Sequence, residues 1–148
     1  MRCTRLFILT LAIALLSCAD STATSGSWRV EIGLLVPELS RIQAVVIPES
    51  IFVGRPIRVT VNTVGSSTCV RPAGVVVEGS GTRVQTLTPL DSVGVGMSCT
   101  DDLAQHSHPV TLTFSQAGSA TIRVRGYVRG TDLVRRIETI QAQVTVRP

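Results

Sequence analysis

Apolar and polar residues alternate along several short segments of this chain, with the period of two that marks a half-buried β-strand. The clearest segment is Ile57–Asn62, in which Ile57, Val59 and Val61 fall on one side. The same alternation recurs over Val110–Phe114, Ala120–Val128 and Ile140–Val146. Further strands are expected at Trp28–Val36, Ile42–Ile47, Val75–Val77 and Arg83–Leu87. The pattern therefore predicts an all-β protein.

Short turn signals separate these predicted strands. Gly79-Ser80-Gly81 lies between two of them and predicts a tight hairpin. A second turn is expected around Gly130-Thr131-Asp132, before the final strand. Residues 89–107 are the longest stretch without clean alternation, so we expect a long loop there. About eight short strands separated by turns of this kind are typical of a β-sandwich.

Two segments resemble parts of bacterial immunoglobulin-like domains. Ile47–Val61 combines a Pro, an apolar pair, a Gly turn and an alternating strand, as in the early strands of those domains. Phe114–Ile122 is similar to their late strand–turn–strand unit, with Gly118 at the corner. The resemblance implies an immunoglobulin-like β-sandwich of about seven or eight antiparallel strands. The Cys–Trp–Cys order of antibody domains is missing because Trp28 precedes both internal cysteines. A jelly roll and a small barrel remain alternatives.

The first residues have the composition of a secretory signal. Arg2 and Arg5 precede the apolar run Leu6–Leu16, which is interrupted only by Thr10. As a helix this run would be about 16 Å long, whereas a bilayer core is about 30 Å thick. A short apolar run behind two positive charges therefore predicts an export signal rather than a membrane span.

The residues that follow the apolar run, Leu15-Leu16-Ser17-Cys18, resemble the lipobox of bacterial lipoproteins. The resemblance implies cleavage before Cys18 and attachment of lipid to it, with two or three acyl chains that hold the protein on a membrane. Ala19 rather than Asp at the next position implies the outer membrane. The expected organisation is a signal peptide at 1–17, a flexible tether at 18–27 and one domain at 28–148. The alternative is a soluble secreted protein.

Charge and cysteine content support an exported protein. Loss of Arg2 and Arg5 would leave 12 arginines against 10 acidic residues, a net charge of +2, which does not suit a nucleic-acid binder. Removal of Cys3 with the signal and lipidation of Cys18 would leave Cys69 and Cys99. In an oxidising compartment this pair predicts one disulfide, and its spacing is unlike a C-x-x-C redox motif.

Two groups of side chains are candidates for ligand binding. His106 and His108 would lie on one face of a strand, and with Asp101 and Asp102 they form a possible divalent-metal site; the alternative is a pair of surface histidines. Arg123, Arg125 and Arg129 alternate along one predicted strand and can bind an anionic polysaccharide or lipid head group. The alternative for these arginines is a solvated outer face paired with Glu138.

Signatures of enzymes are missing from the sequence. It has no G-x-S-x-G elbow, no H-E-x-x-H motif and no phosphate loop. We therefore expect a non-catalytic protein without a cofactor, anchored in the envelope through Cys18 and engaged in protein–protein contact or envelope structure. The alternative function is a small module that binds a divalent metal or an anionic glycan.

Overall fold

The computed structural model describes residues 26–35, 43–129 and 134–148, and this part of the chain consists of strands and connecting loops. Ten strands are formed: β1 (Ser27–Ile32), β2 (Leu34–Leu35), β3 (Val45–Val46), β4 (Ile51–Phe52), β5 (Ile57–Gly65), β6 (Val70–Glu78), β7 (Val84–Val95), β8 (Ala104–Leu112), β9 (Gly118–Arg129) and β10 (Arg135–Arg147). The expected signal peptide, Cys18, most of the tether and the turn at 130–132 lie outside the described residues.

The strands form two sheets, which confirms the prediction of an all-β, two-layered fold. In the larger sheet the order is β1-β7-β9-β10-β4. Strand β6 also pairs with β7, and β2 also pairs with β9. The smaller sheet has the order β3-β5-β8. Three pairings are parallel, namely β7 with β9, β2 with β9 and β4 with β10. The larger sheet is therefore mixed. The described residues form ten strands rather than seven or eight, because β2, β3 and β4 are two-residue segments.

The core lies between the sheets and is formed by the inward residues of each alternating strand. In β9, Ala120, Ile122 and Val124 are buried while the residues between them face outward. Burying an aliphatic side chain of this size contributes about 1.5–3 kcal/mol. The remaining core side chains come from six other strands and one β-bridge: Leu35, Ile51, Ile57, Val59, Val61, Leu87, Leu112, Phe114 and Val146.

The predicted hairpin at Gly79-Ser80-Gly81 is confirmed, since it joins β6 to β7. Gly79 has a φ of 71°, which only glycine adopts without strain. The predicted loop at 89–107 is wrong. Strand β7 continues to Val95 and β8 begins at Ala104, so the connection covers 96–103 alone. Several buried residues of β7 are polar, namely Gln85, Thr88 and Asp91. They hide the alternation of apolar and polar positions that would have predicted the full strand.

In the larger sheet β7 and β9 pair over four residues and then diverge, and the first strands of the described chain fill the gap between them. Strand β1 runs antiparallel to the end of β7, whereas β2 runs parallel to β9, and Gly33 lies between them. The Gly33 N–H donates to the Pro89 carbonyl at 2.9 Å, and the Gly33 carbonyl accepts from the Tyr127 N–H at 2.9 Å. A Cβ atom here would lie 2.4 Å from Thr63 Cγ2. Only glycine therefore fits where the chain links β7 to β9.

Among the described residues there is no helix of the length and apolar character needed to cross a membrane.

Candidate functional site

The predicted disulfide is confirmed. Cys69 and Cys99 are bonded with a Cα–Cα distance of 5.4 Å, and they connect the turn before β6 to the loop after β7. Hydroxyl and carboxylate groups reinforce this connection. The Ser66 and Thr100 hydroxyl oxygens lie 2.9 Å apart, and the Ser67 N–H donates to Asp102 Oδ1 at 2.9 Å. Two loops are thus fixed together at one end of the sandwich, which we call the stapled end (residues 66–69 and 97–102).

Asp102 is held in its ionised form at the stapled end. The Thr100 hydroxyl, and after it Ser67, donate hydrogen bonds that lower the pKa of Asp102 from 3.8 to about 2. A carboxyl whose pKa is lower in the folded state stabilises the fold above its unfolded value. This stabilisation is present above about pH 4 and is lost as the pH falls through about 2.

We expect the Asp102 carboxyl to titrate with a midpoint near pH 2 in the folded protein. Thr100→Ala should raise that midpoint toward 3.8, because it removes the hydrogen bond with the largest effect. Carboxyl carbon chemical shifts followed by NMR against pH measure both values. Thr111→Ala, an exposed change on β8, is the control. A midpoint of 3.8 in the unaltered chain would contradict the expectation.

The four residues of the predicted metal site are not brought together. The described residues contain no group of three or more His, Cys, Asp or Glu side chains placed to hold a metal ion. Asp102 binds the stapled loops, and Asp101 is exposed. The alternative of a surface histidine pair is wrong as well. His106 and His108 lie on the inward side of β8, and only 1% of His108 is exposed.

His108 belongs to a buried polar cluster that joins the two sheets, which we call the His108 cluster (Thr63, Asp91, His108 and the Gly74 carbonyl). Its Nε2 lies 3.0 Å from Asp91 Oδ1 and 2.9 Å from Thr63 Oγ1. Its Nδ1 lies 3.2 Å from the Gly74 carbonyl oxygen. The Thr63 hydroxyl donates to Asp91 Oδ1 at 3.1 Å. His108 and Thr63 come from the smaller sheet, and Asp91 and Gly74 come from the larger.

The geometry of the His108 cluster makes Asp91 and His108 buried partners. The Gly74 carbonyl can only accept a hydrogen bond, so Nδ1 donates to it, and Nε2 lies within hydrogen-bond distance of both Asp91 and Thr63. Titratable groups this deeply buried must be paired, since an unpaired polar or charged group in the interior is strongly disfavoured. Thr63 and Asp91 approach the same ring nitrogen, so the arrangement lacks the relay of a hydrolytic triad, in which the two ring nitrogens serve different partners.

A small pocket lies beside the His108 cluster, at the stapled end. It has a volume of roughly 220 Å³ and is lined by Asp91, Glu31, Arg135 and both bridged cysteines, among others. Glu31 accepts from Arg29 at 3.1 Å and from Arg135 at 3.4 Å, so its charge is already compensated. Pockets that enclose organic ligands are typically about 300–1,000 Å³. This pocket is smaller than that range, and its carboxylates have partners.

A larger groove runs beside strand β10. Its volume is roughly 490 Å³, and it is lined by Ile47, Pro48, Glu49 and Ile51 on one side and by the end of β10 on the other. Strand β10 pairs with β9 along Arg135–Val146, but β4 pairs with it only at Val146 and Arg147. Within the described part of the chain, Ile137–Thr145 therefore has no neighbouring strand on the groove side. We call this stretch the free edge.

The three predicted anion-binding arginines lie on one face of β9. Arg123, Arg125 and Arg129 are exposed and point away from the core. The predicted partner is on the other face, because Glu138 pairs with Gly126, whose neighbours Arg125 and Tyr127 project to the opposite side. Among the described residues, none of the three arginines forms an ion pair with an acidic side chain. The structure thus groups them as an uncompensated positive stripe.

Comparison with protein-family models, with curated protein sequences and with solved structures found no match to this chain. The site is therefore interpreted from its own residues.

Sequence reasoning missed the partners of His108. Asp91 fell in the predicted loop, and Thr63 lies one residue beyond the predicted end of its strand. One signal was present in the sequence. His106 and His108 lie an even number of residues before Val110 and Leu112, so a strand extended toward the N-terminus would have placed both rings on the buried side. The free edge was also missed, because pairing between strands leaves no trace in the alternation of a single strand.

Proposed function

We propose that this chain is a bacterial lipoprotein, held in the outer membrane by lipid on Cys18. Its non-catalytic, immunoglobulin-like β-sandwich binds an extended segment of another envelope protein along the free edge of β10. The observation that carries the proposal is the stretch Ile137–Thr145, which has no second neighbouring strand among the described residues and ends beside the groove.

The lipid anchor is supported by Leu15-Leu16-Ser17-Cys18 after a short apolar run. Intact-mass analysis of the full chain, expressed in a bacterial host and extracted from its envelope, tests it. The expected mass corresponds to a chain that begins at a diacylglycerol-modified Cys18, and Cys18→Ala should remain an unprocessed precursor. A mature protein with an unmodified residue 18 would contradict the anchor, although the proposed partner site does not depend on it.

Free strand edges bind extended peptides because their backbone groups are already held in the geometry of a sheet. A partner strand gains main-chain hydrogen bonds, and pockets beside the edge select its side chains. Natural proteins normally block such edges with charged side chains, proline or bulges. The charged residues of β10 before Arg147 are Arg135, Arg136 and Glu138, so Thr139–Thr145 has neither a charge nor a proline, and its pairing with β9 is regular throughout.

The groove beside the free edge provides the surface that would select the side chains of the partner strand. Val144 and Ile51 contribute apolar contacts, while Glu49 and Arg147 add one charge of each sign. Its volume is large enough for side chains of an incoming strand, in contrast to the pocket at the stapled end. A mixed apolar and charged groove beside a free edge favours a protein segment over a small metabolite.

We expect a photo-crosslinking amino acid at Thr145 to capture one protein in irradiated cells, whereas the same residue at Arg58 on β5 should not. Thr145 lines the groove, and Arg58 is exposed on the other sheet. Val144→Lys should reduce the yield of the adduct about ten-fold or more, because a charge would be buried in the interface. Slower amide exchange across 137–145 in the captured complex would show strand addition.

Val76→Lys is the control for the added charge. Val76 is an exposed valine on β6, away from the groove, whereas Val144 is partly buried and also packs against the core. Thermal unfolding shows that both variants are folded before they are compared. Equal adduct yields from Val144→Lys and Val76→Lys, or an adduct formed equally from Arg58, would overturn the proposed edge interaction.

A further inference from the structure

The outer surface of the larger sheet carries a cluster of cationic and aromatic side chains. Ala120, Ile122 and Val124 of β9 are buried, so the residues between and beyond them project away from the smaller sheet. Strand β1 and the start of β6 extend this surface across β7. We call it the arginine face and define it by Trp28, Arg71, Arg123, Arg125, Tyr127 and Arg129.

The arginine face has a strong excess of positive charge. Four of its six defining residues are arginines, while Glu78 is the acidic side chain that the described residues place on the same side of the sheet. Glu78 pairs with Thr86, which pairs with Arg123, so one strand separates the two charges. No ion pair between them is formed. The mature chain as a whole would have a net charge of only +2, so without these four arginines it would have more acidic than basic residues. Positive charge is thus concentrated on one face.

Aromatic and aliphatic groups are interleaved with these cations. The Arg71 guanidinium lies 4.3 Å from the centre of the Trp28 ring, a cation–π contact made across β7. Trp28 is 38% exposed, and Val30 and Ile137 beside this face are 59% and 46% exposed. Tryptophan, tyrosine and arginine together are typical of the interface between lipid head groups and water. Apolar side chains of this size are also exposed elsewhere, such as Leu103 at 57%, so the feature that distinguishes this face is their position among the arginines.

We propose that the arginine face lies against the head groups of an anionic phospholipid bilayer. Each arginine near an anionic membrane surface strengthens binding about five-fold at physiological ionic strength. Arg123, Arg125 and Arg129 are available for this because none is engaged by a described acidic residue. Trp28 and Val30 enter the interfacial region between them.

The position of the first strand favours the membrane over a soluble polyanion. Strand β1 begins at Ser27, and Trp28 is its second residue, so the chain reaches the sheet beside the arginine face. If Cys18 carries lipid, residues 18–26 span at most about 30 Å. A tether this short keeps the face at high effective concentration near the bilayer. The effect of the tether rests on the proposed lipid anchor, whereas the charges and aromatic groups of the arginine face do not depend on it.

Trp28 is the single tryptophan of the chain and therefore reports on its own face. The experiment reconstitutes the full-length protein, purified from a bacterial envelope, into vesicles of phosphatidylcholine with and without phosphatidylglycerol. Trp28 emission should shift to shorter wavelength and be quenched by brominated lipid in the anionic vesicles only. Salt at 1 M should reverse both effects, since the Debye length then falls to about 3 Å.

Arg123→Glu with Arg125→Glu is the decisive variant, and Arg58→Glu on the other sheet is its control. All three positions are exposed, so the fold should be retained. Loss of two arginines should weaken docking of the face by about 25-fold or more. Arg123→Gln with Arg125→Gln gives the same test without added negative charge. Arg58→Glu should leave Trp28 quenching unchanged.

Three outcomes would overturn the membrane proposal. They are equal quenching in both vesicle types, equal behaviour of the Arg123/Arg125 and Arg58 variants, and a Trp28 shift caused by a soluble anionic polysaccharide but not by anionic vesicles. Mass analysis of the same sample shows whether Cys18 is lipidated, so failure of the anchor is distinguished from failure of the face. Val144→Lys should not change Trp28 quenching, which separates the arginine face from the free edge.

Discussion

His108→Ala is expected to lower the free energy of unfolding by about 3–5 kcal/mol, because it leaves Asp91 buried without its partner. Asp91 is 2% exposed and Thr63 is fully buried, so both would stay in the interior after the imidazole is removed. The Gly74 carbonyl would lose its donor at the same time. The effect should therefore greatly exceed that of an ordinary surface substitution.

A buried acid–base pair that is removed as a whole should cost much less stability than one that loses a single partner. Asp91→Val combined with His108→Leu leaves neither titratable group in the interior and fills the space with apolar groups. Buried ion pairs replaced in this way are often neutral in stability. We expect the double variant to be closer to the unaltered chain than either Asp91→Val or His108→Leu alone, which is a strongly non-additive result.

Urea unfolding followed by far-ultraviolet circular dichroism measures these differences. His106→Ala is the matched control, two residues away on the same side of β8. Its Nε2 is buried without a hydrogen-bond partner in the described structure, so we expect a loss of about 1 kcal/mol. If His106→Ala and His108→Ala were equally destabilising, the Asp91–His108 pair would not be the source of the effect.

Removal of the Cys69–Cys99 bridge is expected to have the second largest effect. The bond joins residues 30 apart in sequence, and closing a loop of that size restricts the unfolded chain by about 3–4 kcal/mol. Cys69→Ala with Cys99→Ala should therefore lower the melting temperature by about 10–15 °C. Part of this loss arises in the unfolded state, so it does not require a visible change in the fold.

Reduction of the unaltered protein supplies an independent measure of the same quantity. A reducing agent should shift its melting temperature to that of the double alanine variant and should leave the variant unchanged. Cys69 is buried, so the alanine variant alone carries any packing cost of the smaller side chain. A variant that melts with the oxidised protein would show that the bridge contributes no stability.

The fold class could be predicted from this sequence because most core strands bury one face only. Alternation at Ile57–Asn62 and Ala120–Val128 located β5 and β9 closely. The cysteine pair could be predicted by elimination from the expected signal peptide. Strand β7 was predicted only in part, because Asp91 and Gln85 are buried polar residues that look like loop residues to a pattern of hydrophobicity.

The candidate sites were predicted less well, for two physical reasons. The arginine stripe was recognised because it follows the alternation of a single strand. The His108 cluster combines residues from four strands of two sheets, and the free edge depends on which strands are neighbours. Both are properties of topology, and local sequence carries little information on the long-range pairing of β9 with β7 and β2.

The corner at Gly33 has a consequence for how the domain is assembled. Trp28 pairs with Gly94 and Leu34 with Tyr127, so the earliest strands of the described chain complete a gap that exists only after β7 and β9 have met. Contacts so distant in sequence slow folding, because the intervening chain must be closed into a loop first. If the chain is exported from its N-terminus, as proposed, residues 27–35 would emerge early and be inserted last. Until then the gap between the diverging strands β7 and β9 would remain accessible to chaperones of the receiving compartment.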